Sequence, residues 1–142
     1  MGISNKDSII DLGCGKAYTL YYFTKFPFGR IAGVELSDYL YDIAKGNMDK
    51  LGDNRCFLYH ANAALFDEFD EYNIIYMFNP FRADVMKKVI ENLKESIRRK
   101  PRRVFIIYKI PAEHNTIIES GCFELLKFVP GKTNVYNIYV NR

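Results

Sequence analysis

The sequence predicts a doubly wound α/β domain: a mostly parallel seven-stranded sheet with helices on both faces and a C-terminal antiparallel hairpin. Three observations carry that expectation. Short β-branched runs alternate with amphipathic stretches along nearly the whole chain, the pattern of strands joined by crossover helices. The run Val104-Phe105-Ile106-Ile107-Tyr108 is continuously apolar, as befits a strand covered on both faces. After it, Pro130-Gly131-Lys132 separates two final β-type runs and reads as a hairpin turn.

In order, Ser8-Ile9-Ile10-Asp11-Leu12 is a buried strand that ends at the glycine turn Gly13-Cys14-Gly15. A helix is expected over 16–25, stopped by Pro27 and Gly29. Residues 30–35 form a second strand. Ser37 is placed to cap a helix in which Leu40, Ile43, Ala44, Met48 and Leu51 recur at helical spacing, and Gly52-Asp53-Asn54 ends it. Residues 55–60 are a third strand, 63–69 a short and partly helical connector, and 72–78 a fourth strand. Met86, Val89, Ile90, Leu93 and Ile97 then mark a long helix with one apolar stripe. A fifth strand covers 102–110 and a short helix 111–120. Strands over 122–129 and 133–140 complete the hairpin, with Tyr136, Ile138 and Val140 sharing one face of the last. Right-handed crossovers turn this order into an open sheet, whose ligands bind outside the carboxyl ends of the strands where strand order reverses.

Composition bounds the function. The 142 residues suit one domain, and 49% hydrophobic with 26% charged residues is globular rather than disordered. A net charge of +3 is too small to argue for nucleic acid. Cys14, Cys56 and Cys122 are an odd, widely spaced set without a CxxC pair, which speaks against disulfide scaffolds and cysteine zinc sites and for a reducing compartment. No signal-like segment and no apolar run near 18 residues is present, so the expectation is a cytoplasmic chain without a membrane span.

The chemistry concentrates at Asp11-Leu12-Gly13-Cys14-Gly15-Lys16-Ala17. Gly13 and Gly15 let backbone N–H groups approach a ligand in front of a helix. Glu35, twenty residues after Gly15, ends the second strand, where a carboxylate can accept from both hydroxyls of a ribose. A plain tight turn with a solvated Glu is the competing reading. Both features fall where the fold predicts a site, which favours a nucleoside ligand. A dinucleotide fingerprint needs Gly or Ala in its sixth position, where Tyr18 is expected to crowd the helix–strand contact.

The spacing Asp11-x-Gly13-x-Gly15-x-Ala17 resembles motif I of the class I S-adenosylmethionine-dependent methyltransferases, with Ala17 in place of the third glycine. That resemblance implies one Rossmann-like domain over 1–142 and S-adenosylmethionine as cofactor. Asp11, Gly13, Cys14 and Gly15 would line its methionine end, where a carboxylate suits an ammonium and a sulfonium but repels a pyrophosphate. Glu35 would hold the ribose and Leu36 pack on the adenine. Ala61, Asn62 and Ala63 would flank the adenine, the Asn62 amide oxygen standing in for the family's usual Asp. Asp11 to Lys16, Pro27-Phe28 and Ile31 to Glu35 also resemble a branch containing Dot1-like histone lysine methyltransferases and bacterial relatives.

On the acceptor side, Asn79-Pro80-Phe81 is similar to the Asn-Pro-Pro-Tyr motif of methyltransferases acting on adenine or glutamine amino groups. The likeness implies that Asn79, Pro80 and Phe81 aim an acceptor nitrogen, although the aromatic is displaced by one position. Asn as a helix cap with Pro at the first helical position explains the same residues without chemistry. Methyl transfer needs positioning more than acid–base help, and no acid–base pair or metal set stands out. His60 and His114 read as structural or surface residues, and Asp67-Glu68-Phe69-Asp70-Glu71 as a solvated connector. The basic run 98–103 reads as a helix end opposite the cofactor, with a nucleic-acid platform the lesser reading. Tyr18 is a candidate for the cofactor or acceptor entrance. Seven residues precede the first strand, so the resemblance further implies an open site without N-terminal cover helices, which suits a bulky acceptor, a lid from a partner subunit, or a chain that is a fragment of something longer. The expected function is methyl transfer to an unidentified acceptor, an amino nitrogen of a protein or other large substrate. A non-catalytic cofactor-binding or interaction module is the alternative, and a nicotinamide-dependent dehydrogenase the third reading.

Overall fold

A computed structural model describes residues 2–79 and 81–142. Its strands are β1 (Ser8–Leu12), β2 (Arg30–Glu35), β3 (Cys56–His60), β4 (Ile74–Phe78), β5 (Phe105–Lys109), β6 (Phe123–Pro130) and β7 (Val135–Asn141). The helices are α1 (Tyr18–Phe23), α2 (Asp38–Leu51), α3 (Ala83–Arg99) and α4 (His114–Glu119), with a 3-10 turn at Phe69–Glu71. The seven strands lie in the order β3-β2-β1-β4-β5-β7-β6. The first five are parallel, and β7 pairs antiparallel with both β5 and β6. The chain therefore reverses its direction of travel across the sheet between β1 and β4. Their carboxyl ends, Leu12 and Phe78, frame the crevice that such a reversal opens.

Local chemistry accounts for the element ends. The Ser37 hydroxyl accepts from the Leu40 N–H at 3.2 Å and starts α2, and Gly52, at φ 66°, closes it. In α3 the expected stripe is buried through Met86, Val89, Ile90 and Leu93. These pack with Ile10, Ile75, Ile106 and Tyr108 on one face of the sheet. On the other face Leu20 of α1 and Ala44 of α2 meet Ile9 and Ile31. That second layer draws on β1 to β4 but on no residue of β5 or β7. The same-face residues Phe105, Ile107, Tyr136 and Ile138 remain half-buried.

Several boundaries differ from expectation for identifiable reasons. Helix α1 is six residues rather than ten. Ala17, at a left-handed φ of 72°, delays its start to Tyr18. Beyond Phe23 the N–H groups of Lys25 and Phe26 bond back only three residues, tightening the end out of the α-helix. Strands β4 and β5 start late because the residues before them hold the domain together. The Asn73 side chain bonds Asp7 and the Ser8 N–H, while the Arg102 guanidinium reaches the carbonyls of Phe69 and Tyr72. Tyr136, Ile138 and Val140 do share a face, yet of these only Val140 is buried, whereas Asn137 and Tyr139 on the other face both are. The Tyr139 hydroxyl lies 2.7 Å from His114 Nδ1, which gives His114 a structural role.

The acidic connector is not simply solvated. Asp70 accepts from Ser96 Oγ at 2.6 Å and pairs with Arg99 at 3.0 Å, and Glu71 lies 3.4 Å from Lys100. The connector thus neutralises part of the basic run at the amino ends of the strands. Among the described residues no helix is long and apolar enough to cross a membrane, and no group of three or more His, Cys, Asp or Glu could hold a metal ion.

Candidate functional site

The turn after β1 concentrates left-handed backbone: Gly13 at φ 85°, Gly15 at 57° and Ala17 at 72°. Glycine adopts this region freely, whereas Ala17 does so at a cost of about 1–2 kcal/mol. The folded turn brings its N–H groups to bear on β2. Gly13 and Cys14 both donate to the Val34 carbonyl, at 2.8 and 3.0 Å, and Ala17 donates to Cys14 at 2.9 Å. Gly15 donates to Glu35 Oε1 at 2.8 Å. The close approach rests on Gly33, where a Cβ would lie 2.6 Å from Cys14 Sγ. Tyr18 does not crowd this contact as expected. It points away and is 68% exposed, because the left-handed Ala17 rotates the start of α1 outward.

Glu35 is held at both oxygens, Oε2 accepting from the Ser37 N–H at 3.0 Å. Each oxygen keeps a second acceptor site for a hydroxyl. Beside it opens a cavity of about 530 Å³, within the size range of small-molecule sites. Of the predicted residues, Gly13, Glu35, Leu36, Ala61, Asn62, Ala63 and Phe81 line it. Val34, Arg82 and Val85 also contribute, unforeseen from sequence. Val85 lies four residues before Val89 of the α3 stripe, so the helical period could have suggested it.

Asp11, Cys14 and Gly15 form the turn and its floor rather than the cavity wall. Asp11 is 3% exposed. Burial pushes its carboxyl up to about 7, against a hydrogen bond from Thr19, and the nearby Glu35 charge pushes the same way. Burial, then the charges of Asp11 and Glu35, push the Cys14 thiol up to about 12, so it is a packed thiol and not a nucleophile.

No family model matches the chain, and no curated protein does. Solved structures match it along almost its whole length. An S-adenosylmethionine-dependent methyltransferase from Aquifex aeolicus has a TM-score of 0.76 at 15% identity, over 98% of this chain and 84% of that one. An RNA methyltransferase from Salinibacter ruber, in complex with S-adenosylhomocysteine, has 0.75 at 14%, over 98% and 83%. Magnesium protoporphyrin IX methyltransferase from Synechocystis, with bound S-adenosylmethionine, has 0.71 at 12%, over 97% and 72%. This chain has the class I methyltransferase fold.

Within the methyltransferase fold, the loop after β3 sets Asn62 against the cavity. Its amide oxygen, expected to accept from a ligand, already accepts from the Ala64 N–H at 3.0 Å in a local turn. The NH2 group is therefore the side of Asn62 that has no partner among the described residues. His60 stacks on Tyr41 at 4.5 Å and lies 3.3 Å from the Leu36 carbonyl and 2.8 Å from Asp38. It braces the start of α2, the structural role expected of it.

At the carboxyl end of β4, Asn79 is exposed and left-handed at φ 35°, its N–H donating to the Lys109 carbonyl at 3.1 Å. The capping explanation for Asn79 fails, because α3 begins at Ala83 with Arg82 in the cap position. Pro80 lies outside the described residues. Phe81 turns into the cavity rather than standing over Asn79. Ile110, at the matching end of β5, is also left-handed at φ 52°, an uncommon state for a β-branched residue. Two adjacent strand ends thus carry backbone strain beside the crevice.

Proposed function

We propose that this chain binds S-adenosylmethionine in the cavity beside Glu35 and transfers its methyl group to an amino nitrogen of a protein or other large acceptor. One observation carries the reading: among the turn's N–H groups those of Gly13, Cys14, Gly15 and Ala17 are spent within the protein, that of Gly15 on a carboxylate, and only that of Lys16 has no partner among the described residues. A turn that binds a pyrophosphate must offer such groups to the ligand. This one instead presents the Glu35 carboxylate, which disfavours phosphate and suits hydroxyls and cationic groups.

The remaining residues fit the cofactor. Leu36, Ala61, Ala63, Phe81 and Val85 supply apolar walls for an adenine, and the Asn62 NH2 can donate to a ring nitrogen. Glu35 would take the ribose hydroxyls without reorganising, since both its oxygens are already fixed. The cofactor, when bound, supplies an activated methyl group on a sulfonium. Asn79 is the residue to orient an acceptor amine, because its strained backbone position has no capping role to explain it. Neighbours of this fold are named for RNA and for magnesium protoporphyrin IX, so the acceptor has to be argued from the site and not from the fold.

Thermal unfolding with S-adenosylmethionine, S-adenosylhomocysteine and NAD tests the reading. Each adenosyl ligand at about a hundred times its Kd should add about 2.7 kcal/mol, several degrees for a domain of this size. Glu35→Gln should abolish the shift, and NAD should give none. Stabilisation by NAD, or by none of the three, refutes the cofactor assignment. Formation of S-adenosylhomocysteine in cell extract separates an enzyme from a binding module.

A further inference from the structure

We infer that the face running from α1 across β4 to the ends of β5 and β7 docks single-stranded nucleic acid. This rests on the methyltransferase reading only for its purpose, the delivery of an acceptor to Asn79. The starting point is a charge pattern. Between Asp11 and Glu35 the 23 intervening residues include no carboxylate, yet they hold Lys16, Lys25, Arg30 and six aromatic side chains. Folding buries only part of these. Leu20 turns to the sheet, while Tyr18 and Tyr22, one helical turn apart, stay 68% and 63% exposed.

The aromatic surface is continuous with the strand ends beside Asn79. Phe23 meets Tyr76 of β4 edge-on at 5.5 Å. Phe78, on the same face of β4 and also exposed, carries Lys109 Nζ 4.5 Å from its ring centroid, with the Tyr136 ring 5.9 Å from that nitrogen. Lys25 Nζ similarly lies 4.6 Å over Tyr21. Among the described residues Lys16, Lys25 and Lys109 pair with no carboxylate.

Most of the basic run, by contrast, is already engaged within the protein. Arg99 and Lys100 are paired with Asp70 and Glu71, and Arg102 is spent on backbone carbonyls. The lysines of the aromatic face, unpaired among the described residues, stand beside exposed rings, a combination that serves a partner's anions and flat groups together. Lysines interleaved with exposed rings match a strand whose phosphates alternate with unstacked bases, because every base has a flat face to stack. A duplex offers phosphates alone, for which three lysines are few. An acidic polypeptide could satisfy the lysines but would leave the exposed rings without flat partners.

Fluorescence anisotropy tests this on the whole chain, with labelled mixed-sequence RNA of about 12 nucleotides, its DNA counterpart, its duplex and a polyglutamate competitor. The single strands should bind. A plot of log affinity against log salt should have a slope of about −2, as expected for three phosphate contacts. Lys109→Gln should make that slope shallower by about 0.7. Tyr22→Ala should weaken binding about tenfold while leaving S-adenosylhomocysteine affinity unchanged. Lack of single-strand binding at about 50 mM salt overturns the proposal. So does equal affinity for duplex, displacement by polyglutamate, or a Tyr22→Ala variant that binds like the parent. Loss of adenosyl binding in the parent chain would sink the methyltransferase reading instead, and leaves the oligonucleotide result independent.

Discussion

Replacing Asp11 with asparagine should stabilise the protein at pH 8 and do little at pH 4. The carboxyl is held at about 7 in the folded chain, against an ordinary value of 3.8, chiefly because burial disfavours its charge. The native state therefore keeps a proton that the unfolded state releases. The contribution of this residue is greatest below about pH 4 and is lost as pH rises through about 7. The gap between 3.8 and about 7, at about 1.4 kcal/mol per pKa unit, amounts to about 4 kcal/mol across that window. Asparagine is neutral throughout and nearly the same shape, and its oxygen can still accept from Thr19. Urea unfolding of parent and variant at matched pH values from 4 to 8 isolates the effect, since the other carboxylates titrate alike in both. The variant's advantage should grow steadily with pH. A difference that stays flat over this range would show that Asp11 is ionised in the fold, and the account of a buried neutral acid under the glycine turn would be refuted.

Two further substitutions test the frame of the site. Gly33→Ala puts a Cβ into Cys14 Sγ and should cost about 1–3 kcal/mol in chemical denaturation, with a loss of S-adenosylhomocysteine affinity as the turn lifts from β2. Retained stability and affinity would mean that the turn is not tightly apposed. Arg102→Ala removes donors to Phe69, Tyr72 and Ser96 and should cost about 2–3 kcal/mol by thermal melting, whereas Arg99→Gln, in an exposed pair, should leave the melt unchanged. Equal effects would place the structural weight on the exposed pairs instead.

The elements that could be read in advance are those coded by neighbours in the chain. Alternation of β-branched runs with 3.6-residue stripes identified all seven strands and the long helices, because each pattern reflects which side of a local element meets the core. The glycine turn was legible for a similar reason, since left-handed backbone at Gly13 and Gly15 limits the residue type directly. Glu35 was legible by its distance from the turn and its place at a strand end.

What the tertiary structure alone decided lies between residues far apart in sequence. Only the packing of β2 against the turn shows that Gly15 donates to Glu35, so that this N–H fixes the carboxylate and is not offered to a ligand. Asn79 looked like a helix cap, and only the start of α3 at Ala83 removes that explanation. The connector carrying Asp70 and the helix end carrying Arg99 each read as solvated charge, because their attraction depends on a fold that brings them to 3.0 Å. The half-buried face over β5 and β7 is likewise invisible locally: Phe105 and Ile107 have the pattern of covered residues, and whether a layer covers them is settled by where the helices pack. Local periodicity states what a side chain needs, while the choice of its partner is made by contacts whose sequence separation carries no pattern.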